Sequence, residues 1–354
     1  MEVSTPCVGL RLLGLLGLLA ATCAFAQDGA DQDWQDLQVK QKSPPGLVAR
    51  GAEPDPAAAA ADRLAQREHL LEVAALAEDF QRKNPAHAKN KDARQVEARS
   101  RLSAALLDNG DSLDHRTRNL ARDLRREAGL SPSQRFEIAQ LAEFAELKAA
   151  RVTGREAWQA AYERAARALL AEFPTVPEAH GMLLQLALND DHPRAAALTE
   201  EILGSGAPDA FKQAARAARH RRELPGQTLA AVIKDVPGTQ AVLVGTAGRP
   251  ILFYAWSPVV PASVRQALEL ARLAPPGARL ISVNLQPESA AVASPPPGDQ
   301  LYGGRGGDSP LARQLELTQP GQLCLIDSQG VVRAAGHTRE LAALLANLDG
   351  GTVK

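Results

Sequence analysis

The sequence predicts an α + α/β protein: a long all-helical region followed by a smaller domain in which strands and helices alternate about a mixed central sheet. Three observations predict it. Alanine and leucine recur at helical spacing from Ala57 to Arg222. Near Leu224 that period gives way to short apolar runs bounded by turn residues. Aromatic residues make up only 4% of the 354 residues, which suits helices packed through small and aliphatic side chains. A chain of this length has room for roughly two domains, each able to bury a core of its own.

The N-terminus has a separate logic. MEVSTPCVGLRLLGLLGLLAATCAFAQD carries Arg11, a Leu-rich run, and Ala24 and Ala26 on either side of Phe25. That order predicts a secretory signal over residues 1–26, cleaved after Ala26. The run from Leu12 to Ala21 is shorter than the ~20 residues that span a bilayer, so a retained membrane span is not expected. Lipoprotein attachment at Cys23 is the weaker reading, because Thr22 precedes it where Gly, Ala or Ser is usual. Cleavage removes Cys7 and Cys23 and leaves Cys324 as the sole thiol, so the exported, secreted or periplasmic chain has no internal disulfide. Residues 27–56 are polar, rich in Pro and Gly and without period, and read as a flexible leader in which Trp34 and Leu37 dock transiently.

The helical domain is expected over residues 57–223. Leu64, Leu71, Leu76 and Phe80 mark one apolar face, Leu102, Leu106 and Leu107 a second, and Leu113, Leu120 and Leu124 a third. Ser131-Pro132 with Gln134, and Thr153 with Glu156, have the form of capping boxes and so mark helix starts. From Thr153 on, the segment is similar to tetratricopeptide repeats: Pro174 and Pro208 stand 34 residues apart, the period of that repeat, and Ala196 falls where a small residue lets paired helices approach. Leu184 departs from that pattern, and an ordinary helical bundle is the alternative. The basic stretch Arg216 to Leu224 reads as a solvated final helix with cations at its C-terminal end. His69, His87, His115, His180, His192 and His220 form no set at metal-ligand spacing, so no metal is expected. A formal net charge of −1 gives no field that would draw nucleic acid or anionic lipid.

After Leu224, strands are expected at Ala241–Gly245, Pro250–Trp256, Arg279–Leu285 and Gln322–Asp327, with Val331–Gly336 returning through the DSQG turn as a hairpin. Helices are expected at Ala262–Leu273, Pro310–Leu315 and Arg339–Leu348. The change of texture also predicts protease-sensitive joins at Leu224–Thr228 and in the Pro- and Gly-rich stretch Ser289–Ser309.

The residues that carry chemistry lie in this second domain. GRPILFYAWSPVVPASVRQALEL, then ISVNLQPE, then YGGRGGDSPLARQLELTQPGQLCLIDSQGVVRAAG resemble the TlpA-like, thioredoxin-fold thiol-disulfide oxidoreductases of the bacterial envelope, over about residues 224–350. The resemblance implies a redox loop of the form W-S-P-x-C-P-x-C. Trp256, Ser257, Pro258 and Pro261 keep that frame, while Val260 stands at the nucleophilic cysteine and Ser263 at the resolving one. It also aligns Pro320 with a proline held in cis, Asp308, Pro310, Leu311 and Ala312 with the approach to a helix, and Asp327 and Gly330 with a hairpin turn. A groove for extended polypeptide, formed by Trp256, Pro258, Pro261, Gln319 and Pro320, is what the resemblance implies; core packing is the plainer reading of Trp256.

Disulfide exchange needs a thiolate, and Val260 has no ionisable atom. Ser263 has a hydroxyl but no neighbouring base to activate it. Cys324 sits within an apolar strand, in the manner of a small core residue. The sequence therefore predicts no catalytic residue, no cofactor, and a protein or extended peptide of the envelope as the partner. The reading is a non-catalytic binding or scaffold protein; an active thiol-disulfide oxidoreductase of cell redox homeostasis and a structural spacer are the alternatives.

Overall fold

In a computed structural model of the protein, the described residues are 29–43, 56–108, 113–189, 192–232, 248–274, 277–286, 295–302 and 310–337. The signal segment, the expected strand at Ala241–Gly245, Asp308 and the expected helix at Arg339–Leu348 lie outside them. A helical N-terminal region is followed by a mixed α/β domain with a five-stranded sheet. Packing divides the chain into two compact units, Met1–His180 and Gly181–Lys354. No helix among the described residues is long and apolar enough to cross a membrane.

The first unit holds helices α1 (29–42), α2 (Pro56–Lys83), α3 (Asn90–Leu107), α4 (His115–Arg126), α5 (Pro132–Ala149), α6 (Arg155–Glu172) and the start of α7 (Pro177–Ala187). Residues 29–42, expected in a flexible leader, are helical: Leu37 is buried with Val73, Ala77, Phe80, Ala93 and Val96, and the rings of Trp34 and Phe80 lie 5.6 Å apart. Three or four apolar side chains suffice to fix so short a helix once a groove between α2 and α3 accepts them, and composition alone does not reveal that groove.

The first apolar face is also corrected. Leu64, Leu71 and Leu76 are exposed, Leu64 by 54%, and α2 buries Val73, Ala74, Ala77 and Phe80 instead. Leu76 follows Leu71 by five residues, about 140° around a helix, so these leucines never shared one stripe. The third face holds, with Leu113 and Leu124 buried beside Leu102 and Leu120 packed against them. Ser131 and Gln134 form the full reciprocal capping box, Ser131 Oγ accepting from Gln134 N–H at 3.2 Å and Gln134 Oε1 from Ser131 N–H at 2.9 Å. Thr153 and Glu156 do not form theirs. The N-cap is Gly154, whose φ of 88° lets the chain turn into α6 one residue later than Thr153 would. The deeply buried charge of Glu97 is compensated: it accepts from Gln81 Nε2 at 2.9 Å, Arg101 Nε at 3.0 Å and Arg116 Nη2 at 2.9 Å.

The second unit takes the rest of α7, α8 (Ala195–Gly204), α9 (Asp209–Glu223), the short α10 (Leu229–Val232) and the α/β elements β1 (Ile251–Trp256), α11 (Pro261–Leu273), β2 (Arg279–Asn284), β3 (Asp299–Tyr302), α12 (Pro310–Gln314), β4 (Gln322–Ile326) and β5 (Val332–His337). Ala196 is exposed on α8 and Ala195 is the buried neighbour, so Ala196 is not the small contact residue expected. The C-terminal cations of α9 are not solvated either. Arg221 is buried, Arg222 donates to Thr199 Oγ1 at 2.8 Å and to the Ala187 carbonyl, and His220 Nδ1 lies 2.8 Å from Glu316 Oε1. Glu316 itself closes α12 in the left-handed conformation, at φ 51°. Its N–H donates to Arg313 O at 3.2 Å and Leu317 N–H to Ala312 O at 2.7 Å, a Schellman close with Glu where Gly is usual.

The sheet order is β3-β2-β1-β4-β5. β2 runs parallel to β1 and β3 parallel to β2, while β4 and β5 are antiparallel additions. Every residue of β1 is buried. Leu252, Tyr254 and Trp256 pack with Ala267 and Leu270 of α11 on one face; Ile251, Phe253 and Ala255 pack with Leu224, Leu229, Leu311, Leu315 and Leu317 on the other. β3 falls inside a stretch expected to be irregular. It has four residues, two of them polar, and follows a run of prolines, so neither length nor alternation announces it.

The join at Leu224–Thr228 is not a loose connector. Gly226 N–H donates to Val332 O at 2.8 Å, Val332 N–H to Gln227 O at 2.8 Å and Leu229 N–H to Gly330 O at 2.7 Å, which stitches the segment along β5. Leu224 and Leu229 are buried in the sheet core. Limited proteolysis is therefore expected to spare residues 224–229, and N-terminal sequencing that finds fragments starting there would contradict this packing.

The β4–β5 turn supplies a pH test. Asp327 Oδ1 accepts from Gln329 N–H at 2.8 Å and Val331 N–H at 2.9 Å, and Oδ2 accepts from Arg333 Nε at 2.6 Å. Burial alone would raise this carboxyl, but the Val331 N–H, the Arg333 guanidinium and the Gln329 N–H together hold it below the ordinary 3.8. A depressed carboxyl adds stability above its unfolded pKa, and that stability is lost as pH falls through the folded value. Asp327→Asn is expected to cost about 1 kcal/mol at neutral pH. Denaturant melts should show the gap to wild type closing as the pH falls below 3.8.

Candidate functional site

The candidate site is built on the end of β1. The strand stops at Trp256, the chain turns through Ser257–Val260 with Val260 N–H donating to Ser257 O at 3.0 Å, and α11 begins at Pro261. Proline is suited to that first helical position, where its missing N–H costs nothing. Val260 is the N-cap of α11, and it offers no side-chain hydrogen bond to the helix.

Ser263 holds the turn shut. Its buried hydroxyl lies 2.7 Å from Val260 O and 3.1 Å from Ser257 O, and it accepts from Ser257 N–H at 3.1 Å. The Ser263 carbonyl in turn accepts from Tyr254 O–H at 2.5 Å. Among the described residues, the partners of the hydroxyl are main-chain atoms of the loop itself, as in a side chain that caps its own turn. Burial pushes the Tyr254 phenol above its ordinary value.

The second loop precedes β4. Gln322 N–H donates to Gln319 O at 3.2 Å, Gly321 has φ 91°, and Gln319 N–H donates to Gln322 Oε1 at 2.7 Å. That is a type II turn with Pro320 at its second position and Gly321 at its third. No peptide bond among the described residues is cis, which corrects the cis geometry that the resemblance implied for Pro320. Proline at the second position of a type II turn is trans; a cis proline occupies the third position of a different turn. Gly321 cannot be replaced cheaply: a Cβ there would lie 2.6 Å from His337 Cε1 and 3.3 Å from Gln266 Oε1.

Gly321 N–H donates to Ala255 O at 2.8 Å, which sets this turn beside the end of β1 where the first loop departs. The structure therefore brings Pro258, Val260, Pro261, Gln319 and Pro320 to one end of the β1–β4 pair. Pro258 and Pro320 are half-buried there, while Val259, Val260, Pro261 and Gln319 are exposed, Val259 by 74%. Trp256 does not join them. It is fully buried against α11 and forms core, so it does not wall a groove.

Two buried donors lie where β1 and β2 end. Trp256 Nε1 and Asn284 Nδ2 have no hydrogen-bond partner among the described residues, and the two residues are direct partners in the parallel β1–β2 register. Sequence reading missed Asn284, although a polar residue closing the apolar run RLISV was a visible signal. Cys324 is fully buried, pairs with Phe253 across β1 and β4, and its thiol is pushed up to about 12 by burial. Among the described residues, no group of three or more His, Cys, Asp or Glu is placed to hold a metal ion.

Comparison with known protein families and with curated proteins finds no match for the chain.

Two outcomes follow from this geometry. Ser263→Ala removes the acceptor of Ser257 N–H in a buried turn and is expected to cost about 1–2 kcal/mol by denaturant melting. A chain beginning at Gln27 should show no native reaction of Cys324 with an aromatic disulfide reagent and complete reaction once unfolded. Rapid native labelling would mean that β4 opens or that the thiol is not where the packing puts it.

Proposed function

We propose that the protein is an exported, non-catalytic binding protein of the cell envelope. Its α/β domain keeps the frame of a TlpA-like thioredoxin domain, and it presents the two loops at the end of β1 to an extended polypeptide. The helical region, similar to tetratricopeptide repeats toward its end, provides a second interaction surface.

The observation that carries this reading is the state of the first loop. Its two cysteine positions hold an exposed valine and a buried serine whose hydroxyl is committed to the loop's own main chain. A loop closed by its own hydrogen bonds, with apolar Val259 and Val260 turned outward beside a proline turn, is suited to contact and has no group able to exchange disulfides. The secretory character of the N-terminus supports an envelope location.

The test places a photo-crosslinking residue at Val259 in cells producing the full chain, with the exposed Leu273 at the far end of α11 as the control position. A defined polypeptide should crosslink from Val259, not from Leu273, and be lost in Val260→Asp. Equal crosslinking from both positions, or none from Val259, overturns the reading. Purified wild-type protein should show no insulin reduction above background. The pair Val260→Cys and Ser263→Cys, placed at the N-terminus of α11, should form an intramolecular disulfide and give measurable exchange. The pair Val259→Cys and Ser263→Cys should do much worse, and equal inertness of both pairs in folded protein would remove the basis for the inherited frame.

A further inference from the structure

A cleft of ≈ 540 Å³ lies between α4 and α5 in the first unit, within the roughly 300–1,000 Å³ usual for ligand sites. Its origin is simple. Ala121 faces Ala139 and Ala142 where larger side chains would have filled the space, and Leu113 completes an apolar floor. One wall is the run HRTRNLARDLRR of α4, on which Arg118, Arg122 and Arg125 recur at helical spacing, with Arg126 at the rim.

The charges in the cleft do not cancel. Its three carboxylates are already engaged: Glu146 accepts from Arg118 Nε at 2.6 Å, Glu143 from Arg125 Nη1 at 3.2 Å, and Glu172 from Arg125 Nε at 2.7 Å. Arg122 and Arg126 line the same cleft and have no carboxylate partner among the described residues. Arg126 suits the C-terminal end of a helix dipole, but Arg122 lies mid-helix, one turn from Arg118 and from Arg126, where like charges repel. Two such guanidiniums lining a cleft with an apolar floor call for a ligand with both carboxylates and hydrocarbon.

We propose that this cleft binds an extended acidic polypeptide segment of the form Glu-x-Glu. Arg122 and Arg126 are one turn apart, about 6 Å, and alternate side chains of an extended chain are spaced by about 6.6 Å. Each guanidinium meets one carboxylate in a two-pronged contact, while the methylenes of the glutamates lie on Ala121, Ala139 and Ala142. An inorganic anion satisfies the charge and leaves the floor wet. A fatty acid offers one carboxylate to two arginines.

The inference deepens the reading of the helical region as an interaction surface. Its test uses only residues of this unit, so its failure is distinguishable from failure of the loop reading. The probe is a dye-labelled Glu-Leu-Glu-Leu-Glu peptide, titrated with the full chain and followed by fluorescence anisotropy. Binding should weaken as NaCl is raised, and Arg122→Gln with Arg126→Gln should lower affinity at least tenfold. Both arginines are exposed and without a carboxylate partner among the described residues, so the variant should melt no lower than wild type. Ala142→Leu, which fills the floor and leaves every charge in place, should also weaken binding. Gln-Leu-Gln-Leu-Gln should not bind. No binding of the acidic peptide, equal binding of the glutamine peptide, wild-type affinity in the arginine variant, or displacement by sodium phosphate beyond that of NaCl at equal ionic strength would each overturn the proposal.

Discussion

The α/β domain depends on one constraint: β1 has no face open to water. Six consecutive side chains, Ile251 to Trp256, are buried, and removing them from water is worth roughly 10 kcal/mol in total. A strand buried on both sides needs a layer on each. α11 supplies one through Ala267 and Leu270; the other is assembled from α12, the Leu315–Leu317 turn and the Leu224–Leu229 segment. The stitching of residues 226–229 to β5 follows from this. A connector that contributes Leu224 and Leu229 to the core must also satisfy its own main chain, and the β5 strand and the turn before it supply main-chain partners. The same requirement fixes both loops of the candidate site, since each begins or ends where β1 and β4 leave the sheet.

Much of this was legible in the sequence. A strand buried on two faces reads as an unbroken apolar run, and ILFYAW, LISV and QLCLI each gave their position to within a residue or two. The Ser131 box was legible because it is a local reciprocal bond that needs no tertiary partner. What was not legible had its cause at a distance. The helix at 29–42 exists because α2 and α3 leave a groove for Leu37, and α2 buries alanines in preference to leucines because it packs closely on α3. β3 is held in place by β2 and not by its own sequence. Thr153 failed as a cap because Gly154, with its freedom at positive φ, takes the helix start instead.

The candidate site divides in the same way. Its loop positions could be named from sequence, since prolines and a glycine are local instructions. The burial of Trp256, the commitment of the Ser263 hydroxyl and the trans turn at Pro320 could not, because each depends on what the other loop and α11 do. The tie between His220 and Glu316 joins residues far apart in sequence and has no sequence pattern at all.

Serine at 263 closes the loop that leaves β1, and its chemistry suits that place. A hydroxyl is a stronger donor and acceptor than a thiol, and its shorter bonds let one oxygen reach the Val260 carbonyl and the Ser257 amide together. A sulfur in that place would bond both more weakly and would need the loop to open slightly. The hydroxyl at 263 thus ties the Ser257–Val260 turn to the first turn of α11, and the adjoining Val259 and Val260 are left exposed. A turn closed by its own hydrogen bonds has its main chain satisfied before anything else touches it, and a preordered surface loses less entropy on being covered than one that must first be ordered.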